Sequence, residues 1–386
     1  MRIAIDGRCL LEEPKTGVQE YAVNLIQETL KKDSYNKYII FINSFGKKGK
    51  VLDWLKKYPN VEIKNFGFPN KILNFFLWFL GWPKLDHLVG GVDYFVLPNI
   101  SFTAFSKHCR VILVVHDLSF ERFPEFFSLK RRIWHFIINP RRLCKRSNKI
   151  IAVSESTKDD LIELYGIGKE KIKVAFPNFS SQFQKNFLPP KSQADKDREK
   201  EELKKYHLPE DFILFLGTIE PRKNIRSLIL AFNEIKKDVQ IFEKIPNLKL
   251  VIAGSRGWLS KNVFQLAQKS PFSKDIIFCG FVEEKHKMAF YQQARVFIFP
   301  SYFEGFGYPP LEAMLAGTPA VVSCSSSLPE TTQGAAISID PYRPEEIYLA
   351  VKELLLNESV RSDYLQKGQR QAQKIIQQKS TLLDFV

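Results

Sequence analysis

The chain has 386 residues, 45% of them apolar and 26% charged; that apolar share excludes a disordered chain, and the length suits two domains better than one core. Its 57 Lys and Arg outnumber 42 Asp and Glu, a formal net charge of +15, which favours an anionic partner such as a nucleotide, a membrane surface or nucleic acid. Cys9, Cys109, Cys144, Cys279 and Cys324 never form a C-x-x-C pair, which points to reduced thiols in a cytoplasmic protein and away from a disulfide framework or a zinc site.

Short apolar runs alternate with amphipathic stretches, the signature of parallel sheets wrapped by helices. The N-terminal MRIAIDGRCL reads as a strand running into a turn rather than as a signal peptide. Strands are predicted at RIAID, YIIFI, VEIKNF, YFVLP, VILVVH, KIIAVS and KIKVAF, with helices such as VQEYAVNLIQETLKK and STKDDLIELYG between them. The longest apolar run, ILNFFLWFLGW (72–82), is too short to span a bilayer. Residues 74–84 are expected to form a buried helix ahead of Pro83, an interfacial aromatic wedge being the other reading. A second strand series follows: FILFLG, LKLVIAG, DIIFCG, VFIFPS, PAVVS and AISI. The charged, proline-containing stretch 183–207 separates the series as a linker plus the start of a surface helix. The chain closes with an amphipathic helix. Open parallel sheets place binding loops at the carboxyl ends of their strands, so two facing domains of this kind make a cleft.

Two loops carry chemistry. In FLGTIEPRKNIRSLILAF (215–232) a strand ends at Gly217 and a helix begins near Asn224. Arg222 and Lys223 thus stand at a helix N-terminus, where free amides and the dipole already favour an anion. A forked guanidinium beside a point-charge ammonium suits a diphosphate. In FPSYFEGFGYPPLEAMLAG, Pro309 and Pro310 pre-set a helical turn whose first free amides would be those of Leu311, Glu312 and Ala313. Gly305 and Gly307 admit a ligand close to the backbone. Glu304, above the strand end, can accept from sugar hydroxyls, and Glu312 can reach another part of the same ligand.

EGFGYPPLE resembles the E-x7-E signature of retaining GT-B glycosyltransferases of family 4, and GTIEPRKN resembles that family's Arg-Lys phosphate loop. VILVVHDLSFERFPEFF and IIAVSESTKDDLIELYGIGKEKIKVAFPN are similar to its N-terminal domain, particularly in mannosyltransferase-like members, and IIFCGFVEEKHKMAFYQQARVFIFPS is similar to the segment before the E-x7-E loop. The likeness covers nearly all of residues 1–355. It implies an α/β GT-B fold of two Rossmann-like, doubly wound parallel-sheet domains facing across a cleft. The acceptor-side domain would span residues 1–182 and the nucleotide-sugar domain 208–365, with 366–386 a C-terminal helix packing back toward the first. It also implies that Glu304 and the amides of Gly305, Phe306 and Gly307 hold the donor sugar. Arg222 and Lys223, with Gly17 and Leu311, would bind the diphosphate. Glu312 would hold the ribose, and the backbone at Phe281 and Val282 would meet the base. His116, at the end of VILVVH and followed by Asp117, would reach across the cleft to the sugar near its reacting carbon. One departure stands out: where the family often has Gly-x-Gly-Arg-Tyr, this chain has Gly17-Val18-Gln19-Glu20-Tyr21.

The activity implied is metal-independent, retaining transfer of a hexose, mannose from GDP-mannose, to a glycan or lipid-linked acceptor. No cofactor is expected, the nucleotide-sugar being a co-substrate. No metal is expected either, since the one Asp-x-Asp, Asp195-Lys196-Asp197, lies in the charged linker. A GT-B sugar-nucleotide epimerase or a phosphorylase is the alternative enzyme. A basic nucleic-acid-binding protein is the alternative from another class, although no such motif occurs and no nucleic acid is expected as a partner. Residues 128–149 hold eight Lys and Arg and no acid. They predict a helix, kinked at Pro140, with Arg131, His135, Arg142, Arg146 and Lys149 on one face and Ile133, Phe136, Ile137 and Leu143 opposite. Such a face suits peripheral contact with an anionic membrane at the cytoplasmic side.

Overall fold

The computed structural model describes residues 1–11, 17–44, 49–179 and 201–386. Among them are thirteen strands, each falling on one of the apolar runs. β1 (Arg2–Asp6), β2 (Lys37–Ile42), β3 (Val61–Asn65), β4 (Tyr94–Leu97), β5 (Arg110–Val115), β6 (Lys149–Ala152) and β7 (Ile172–Val174) form a parallel sheet in the order β3-β2-β1-β4-β5-β6-β7. β8 (Phe212–Leu216), β9 (Lys249–Ala253), β10 (Ile276–Gly280), β11 (Val296–Phe299), β12 (Ala320–Ser323) and β13 (Ile337–Ile339) form another, in the order β10-β9-β8-β11-β12-β13.

Central strands such as FILFL and VFIF are buried at every position, because helices cover both sheet faces; edge strand β3 is partly exposed throughout. In each sheet the strand order grows outward on one side of the first strand, then resumes on the other. That switch falls between β1 and β4 in one sheet and between β8 and β11 in the other. Loops leaving such neighbours diverge to opposite faces and open a crevice at the strands' carboxyl ends.

The chain divides into two units: Met1–Arg122, Leu129–Ser180 and Gln378–Val386 in the first, Phe123–Ser128 and Ser181–Gln377 in the second. This differs from the expected borders. The helix Glu358–Gln377 belongs to the second unit, where Ala372 and Ile375 are buried and Gln371 Nε2 donates to Thr331 O at 2.9 Å. Only the nine residues after it join the first unit. There Asn178 Nδ2 donates to Ser380 O (2.7 Å), Ser380 N donates to Asn178 Oδ1 (3.0 Å), and Leu382 N donates to Thr29 Oγ1 (2.8 Å). Leu382 and Phe385 are buried beside them. Most of the expected linker, with Asp195 and Asp197, lies outside the described residues.

Two helical expectations need correction. Residues 128–149 form two helices, Leu129–Ile138 and Pro140–Arg146. Asn139 adopts a left-handed φ of 51° and caps the second through a bond from Arg142 N, with Pro140 as its first residue. Lys149 opens β6 and shares no helical face with Arg142. Moreover, Leu129–Ile138 buries none of its residues: Ile133 and Phe136 are as exposed as the cations. The helix Asn70–Phe79 likewise buries only Leu73 and Leu77 and exposes its other apolar face, which overturns the expectation of a buried helix. Hydropathy counts apolar residues but does not reveal whether a neighbour covers them.

The returning tail should matter to stability. Leu382→Ala should cost roughly 2–5 kcal/mol by emptying a fully buried site. Asn178→Ala, which strands two backbone groups of Ser380, should cost about 1–3 kcal/mol. Both are read as falls in the urea midpoint, and unchanged midpoints would show that the tail is not part of the first unit's cooperative core.

Candidate active site

In the second unit β11 lies directly beside β8, with Val296 opposite Ile213 and Phe297 opposite Leu214. Their carboxyl-end loops, 217–224 and 300–307, therefore emerge side by side at the switch point. The first passes through a 3-10 turn, Pro221–Lys223, into the helix Ile225–Lys237. Asn224 makes that junction at φ 54° and ψ 37°, a left-handed conformation that Asn tolerates better than bulkier residues. Its Oδ1 accepts from Ser227 N, and its Nδ2 donates to Pro300 O (3.1 Å) and Pro341 O (2.6 Å), stitching the two loops together. Tyr302 N adds a bond to Arg222 O at 2.9 Å.

The side chains then meet. Glu304 Oε1 lies 2.6 Å from Lys223 Nζ, and Glu304 Oε2 lies 2.9 Å from Arg222 Nη1. Arg222 also donates to Phe303 O (2.6 Å) and pairs with Glu220 at 2.9 Å. Lys223 Nζ sits 4.7 Å above the Phe299 ring, a cation–π contact that helps keep it dry. Two cations and two carboxylates thus balance in one cluster, with Glu220, Lys223 and Glu304 buried and Arg222 partly so. Burial raises the Glu304 carboxyl, but the charges of Arg222 and Lys223 outweigh it and hold it below the usual carboxylate range. Burial lowers the Lys223 ammonium; the pull of Glu304 opposes this only in part, because the Arg222 charge adds to the lowering. Both partners shift down because the two cations outweigh burial at Glu304, whereas burial dominates at Lys223.

A serine scaffold holds the Glu304 loop. Glu304 N donates to Ser326 Oγ (2.8 Å), while Ser327 Oγ donates to Glu304 O (3.0 Å) and Phe306 O (2.9 Å). Ser325 Oγ reaches Tyr302 O at 2.8 Å, and Ser323 Oγ reaches Ser301 O. The next helix is Tyr308–Leu315, with Gly307 (φ 97°) as its N-cap. It starts earlier than the sequence suggests, and helical register pairs the Leu311 amide with the Gly307 carbonyl. Leu311 is fully buried and Phe306 nearly so. Glu312, one turn in, is buried and accepts from Tyr291 OH at 2.6 Å. Burial raises its carboxyl above the usual range, opposed in part by the charge of Lys287 and the Tyr291 hydroxyl. At the end of β10, Val282 is buried and the Phe281 ring is 55% exposed.

The segment Phe123–Ser128 is also part of this unit. Phe126 stacks on Tyr302 (5.2 Å) and accepts from Trp258 Nε1 (2.6 Å), and Phe123 meets Phe303 at 5.9 Å. This aromatic strap thus braces the two residues before Glu304. Neither it, nor the serines, nor Tyr291 is picked out in the sequence, and Asn224 stands out there only as a helix start. The polar run SCSSS after an apolar strand is the one local signal that could have flagged part of the scaffold.

In the first unit His116 follows β5. Its Nε2 donates to Pro98 O at 2.8 Å, leaving Nδ1 as the acceptor side, and its ring meets the edge of Tyr21 at 5.1 Å. Burial lowers its pKa, opposed in part by Pro98 O and Asp117, which favours the neutral ring. Its carbonyl accepts from Thr157 Oγ1 at 3.3 Å. Gly17 is the first residue of the helix Gly17–Lys32, with open space where a Cβ would project. Gln19, in place of the family's second glycine, is buried and donates to Leu10 O at 2.8 Å. That departure therefore anchors the helix start. Among the described residues no helix is long and apolar enough to cross a membrane.

The family model described as Glycosyl transferases group 1 matches residues 195–371, and that described as Glycosyltransferase Family 4 matches 16–177. O-antigen chain mannosyltransferase B of Escherichia coli is 29% identical over 69% of this chain, which spans 66% of that protein; the serotype-specific mannosyltransferase WbdA of Escherichia coli is also 29% identical, but the match spans only 31% of its length. An uncharacterized glycosyltransferase of Methanocaldococcus jannaschii is 31% identical over 72% of this chain and 68% of its own. The fold is shared with HepE of Anabaena, solved in complex with UDP and glucose, at a TM-score of 0.68 and 15% identity over 98% of both chains. Two Rossmann-like parallel sheets, two family models matched in order and a relative alike over most of its length lead to one conclusion: the chain belongs to the family 4, or group 1, glycosyltransferases.

Proposed function

We propose that the chain is a retaining, metal-independent glycosyltransferase that moves mannose from GDP-mannose onto a glycan or lipid-linked acceptor in cell-surface polysaccharide synthesis. The observation that carries this reading is the buried Arg222–Glu304–Lys223 cluster at the β8/β11 switch point. The similarity to the two Escherichia coli mannosyltransferases above supports the sugar. The work would be done at the cytoplasmic face of a membrane, where the basic helices Leu129–Ile138 and Pro140–Arg146 would touch anionic headgroups.

In this mechanism the donor's diphosphate takes the cations from Glu304. Arg222 forks its oxygens, Lys223 adds a point charge, and together they neutralise the leaving group in place of a divalent ion. Glu304, released from both, accepts from hydroxyls of the sugar, alongside the backbone of Gly305, Phe306 and Gly307. Gly17 and Leu311 would border the diphosphate, Glu312 would hold the ribose, and Phe281 and Val282 would meet the base. The bond between the anomeric carbon and the phosphate oxygen breaks as the acceptor hydroxyl attacks the same face. The leaving phosphate oxygen takes the acceptor's proton, so configuration is retained without an enzymic nucleophile. Neutral His116 would orient the sugar near that carbon.

Three measurements test this. Glu304→Gln should lower kcat by roughly two orders of magnitude or more, as for other groups that stabilise a transition state, without weakening GDP. Arg222→Ala should weaken GDP itself, since a diphosphate contact acts in ground and transition states alike. Near-wild-type kinetics in both variants would place the site elsewhere. Secondly, activity should survive EDTA and the product should keep the donor's anomeric configuration by NMR. A metal-restored activity or an inverted product would refute the mechanism.

The third measurement uses pH. The Glu312 carboxyl is raised in the folded protein, so its protonated form favours folding. That contribution is fully present below the unfolded value, about 4.3, and is lost as pH rises through the higher folded value. Glu312→Gln mimics the protonated form at every pH. It should match the wild type's thermal stability in acid, exceed it by a few degrees at neutral pH, and bind GDP-mannose more weakly. A destabilised variant at neutral pH would contradict the assignment.

A further inference from the structure

We propose that the helix Asn70–Phe79 and the turn after it form an aromatic wedge that inserts into the headgroup boundary of an anionic lipid bilayer. This rests on, and goes beyond, the electrostatic contact proposed for the basic helices, because it adds an apolar, salt-resistant component from a different element. Leu73 and Leu77 anchor the helix in the first unit's core. Its outer side exposes Ile72, Phe75, Trp78 and Phe79, continued by Leu80 and Trp82, between 49% and 66% accessible. The rings form one surface: Phe75 stacks on Phe79 at 5.6 Å and 15°, and Trp78 lies 6.3 Å from Phe75 and 6.1 Å from Phe79. Six half-exposed side chains of this size present roughly 500 Å², the scale at which an apolar patch marks an interaction surface.

Charge and placement select the occupant. Residues 70–84 contain Lys71 and Lys84 and no acid. The basic helices pack on the same core, through buried Cys144 and half-buried Ile138 and Leu143, so both helical elements cover the same side of the sheet. The loop between β4 and β5 joins them. Leu85 N donates to Ala104 O (2.8 Å), Arg146 Nη2 donates to Phe105 O (2.6 Å), and Phe102 meets Trp134 edge-on at 6.1 Å. Alongside exposed Lys130, Arg131 and Arg132, that element also exposes Leu129, Ile133 and Phe136. Tryptophan and phenylalanine among cations, without carboxylates, match anionic headgroups above an acyl boundary. A second copy of the chain would bring like charges together. A ten-residue helix, about 15 Å long, can lie in that boundary but cannot span it.

The test uses the purified full chain and phosphatidylcholine vesicles with or without phosphatidylglycerol, some carrying brominated acyl chains. Flotation should show binding to the anionic vesicles. Brominated lipid should quench tryptophan fluorescence, and Trp78→Phe with Trp82→Phe should remove that quenching. Phe75→Ser with Phe79→Ser, both exposed, should leave circular dichroism unchanged and lower partitioning at least about tenfold, with the binding that survives high salt lost first. Arg131→Glu with Arg142→Glu should instead remove the salt-sensitive part. Binding that is wholly salt-sensitive and unquenched would overturn the wedge and leave the basic contact standing. Absence of binding would overturn both. Concentration-dependent dimerisation abolished by the Phe75/Phe79 variant would overturn the wedge by making a second copy its occupant. GDP-mannose hydrolysis without vesicles, read in parallel, keeps these outcomes separate from the fate of the transferase reading.

Discussion

Two cations at adjacent positions after one strand, Lys223 buried and Arg222 partly so, are tolerable only if carboxylates meet them. Arg222 and Lys223 meet that condition because β11 runs beside β8 and delivers Glu304 between them. Removing one partner of such a buried group typically costs about 3–5 kcal/mol, since the survivor is left charged and dry. Much else follows from this demand. Asn224 takes a strained backbone so that its amide can tie the two loops, the serines 323–327 clamp the Glu304 loop, and the strap at Phe126 braces Tyr302. The loops are therefore already held together before any anion arrives, which is the preorganisation that electrostatic stabilisation needs.

The two glutamates of the signature, eight residues apart, sit in opposite surroundings. Glu304 faces two cations and is held as a carboxylate; Glu312 is buried with Tyr291 as its hydrogen-bond donor, and its charge is disfavoured. Environments that push two acids apart are how one fold separates their roles. A buried acid held above its usual range is a stability cost at neutral pH.

The first unit shows a different economy. Its helix Asn70–Phe79 buries only Leu73 and Leu77 and its helix Leu129–Ile138 buries no residue fully, so both turn apolar residues outward. Composition alone reads those residues as core, and their accessibility is visible only when the covering layer is known. The same logic applies to Gln19, whose departure from the family loop turns out to anchor a helix start rather than reach outward.

Local signals carry far in this chain. All thirteen strands were legible because a strand buried on both faces needs an unbroken apolar run, and the Arg222–Lys223 turn and the two signature glutamates stood out through spacing and turn chemistry. What no window could show is which loops meet. The order β10-β9-β8-β11-β12-β13 puts Lys223 2.6 Å from a carboxylate 81 residues later, and tertiary packing sets Phe126 against Tyr302 across a still longer stretch of chain. Strand formation depends on neighbours in sequence, whereas ion pairing, the pKa of a buried acid and the exposure of a helical face depend on neighbours in space, and those exist only once the sheets have been assembled.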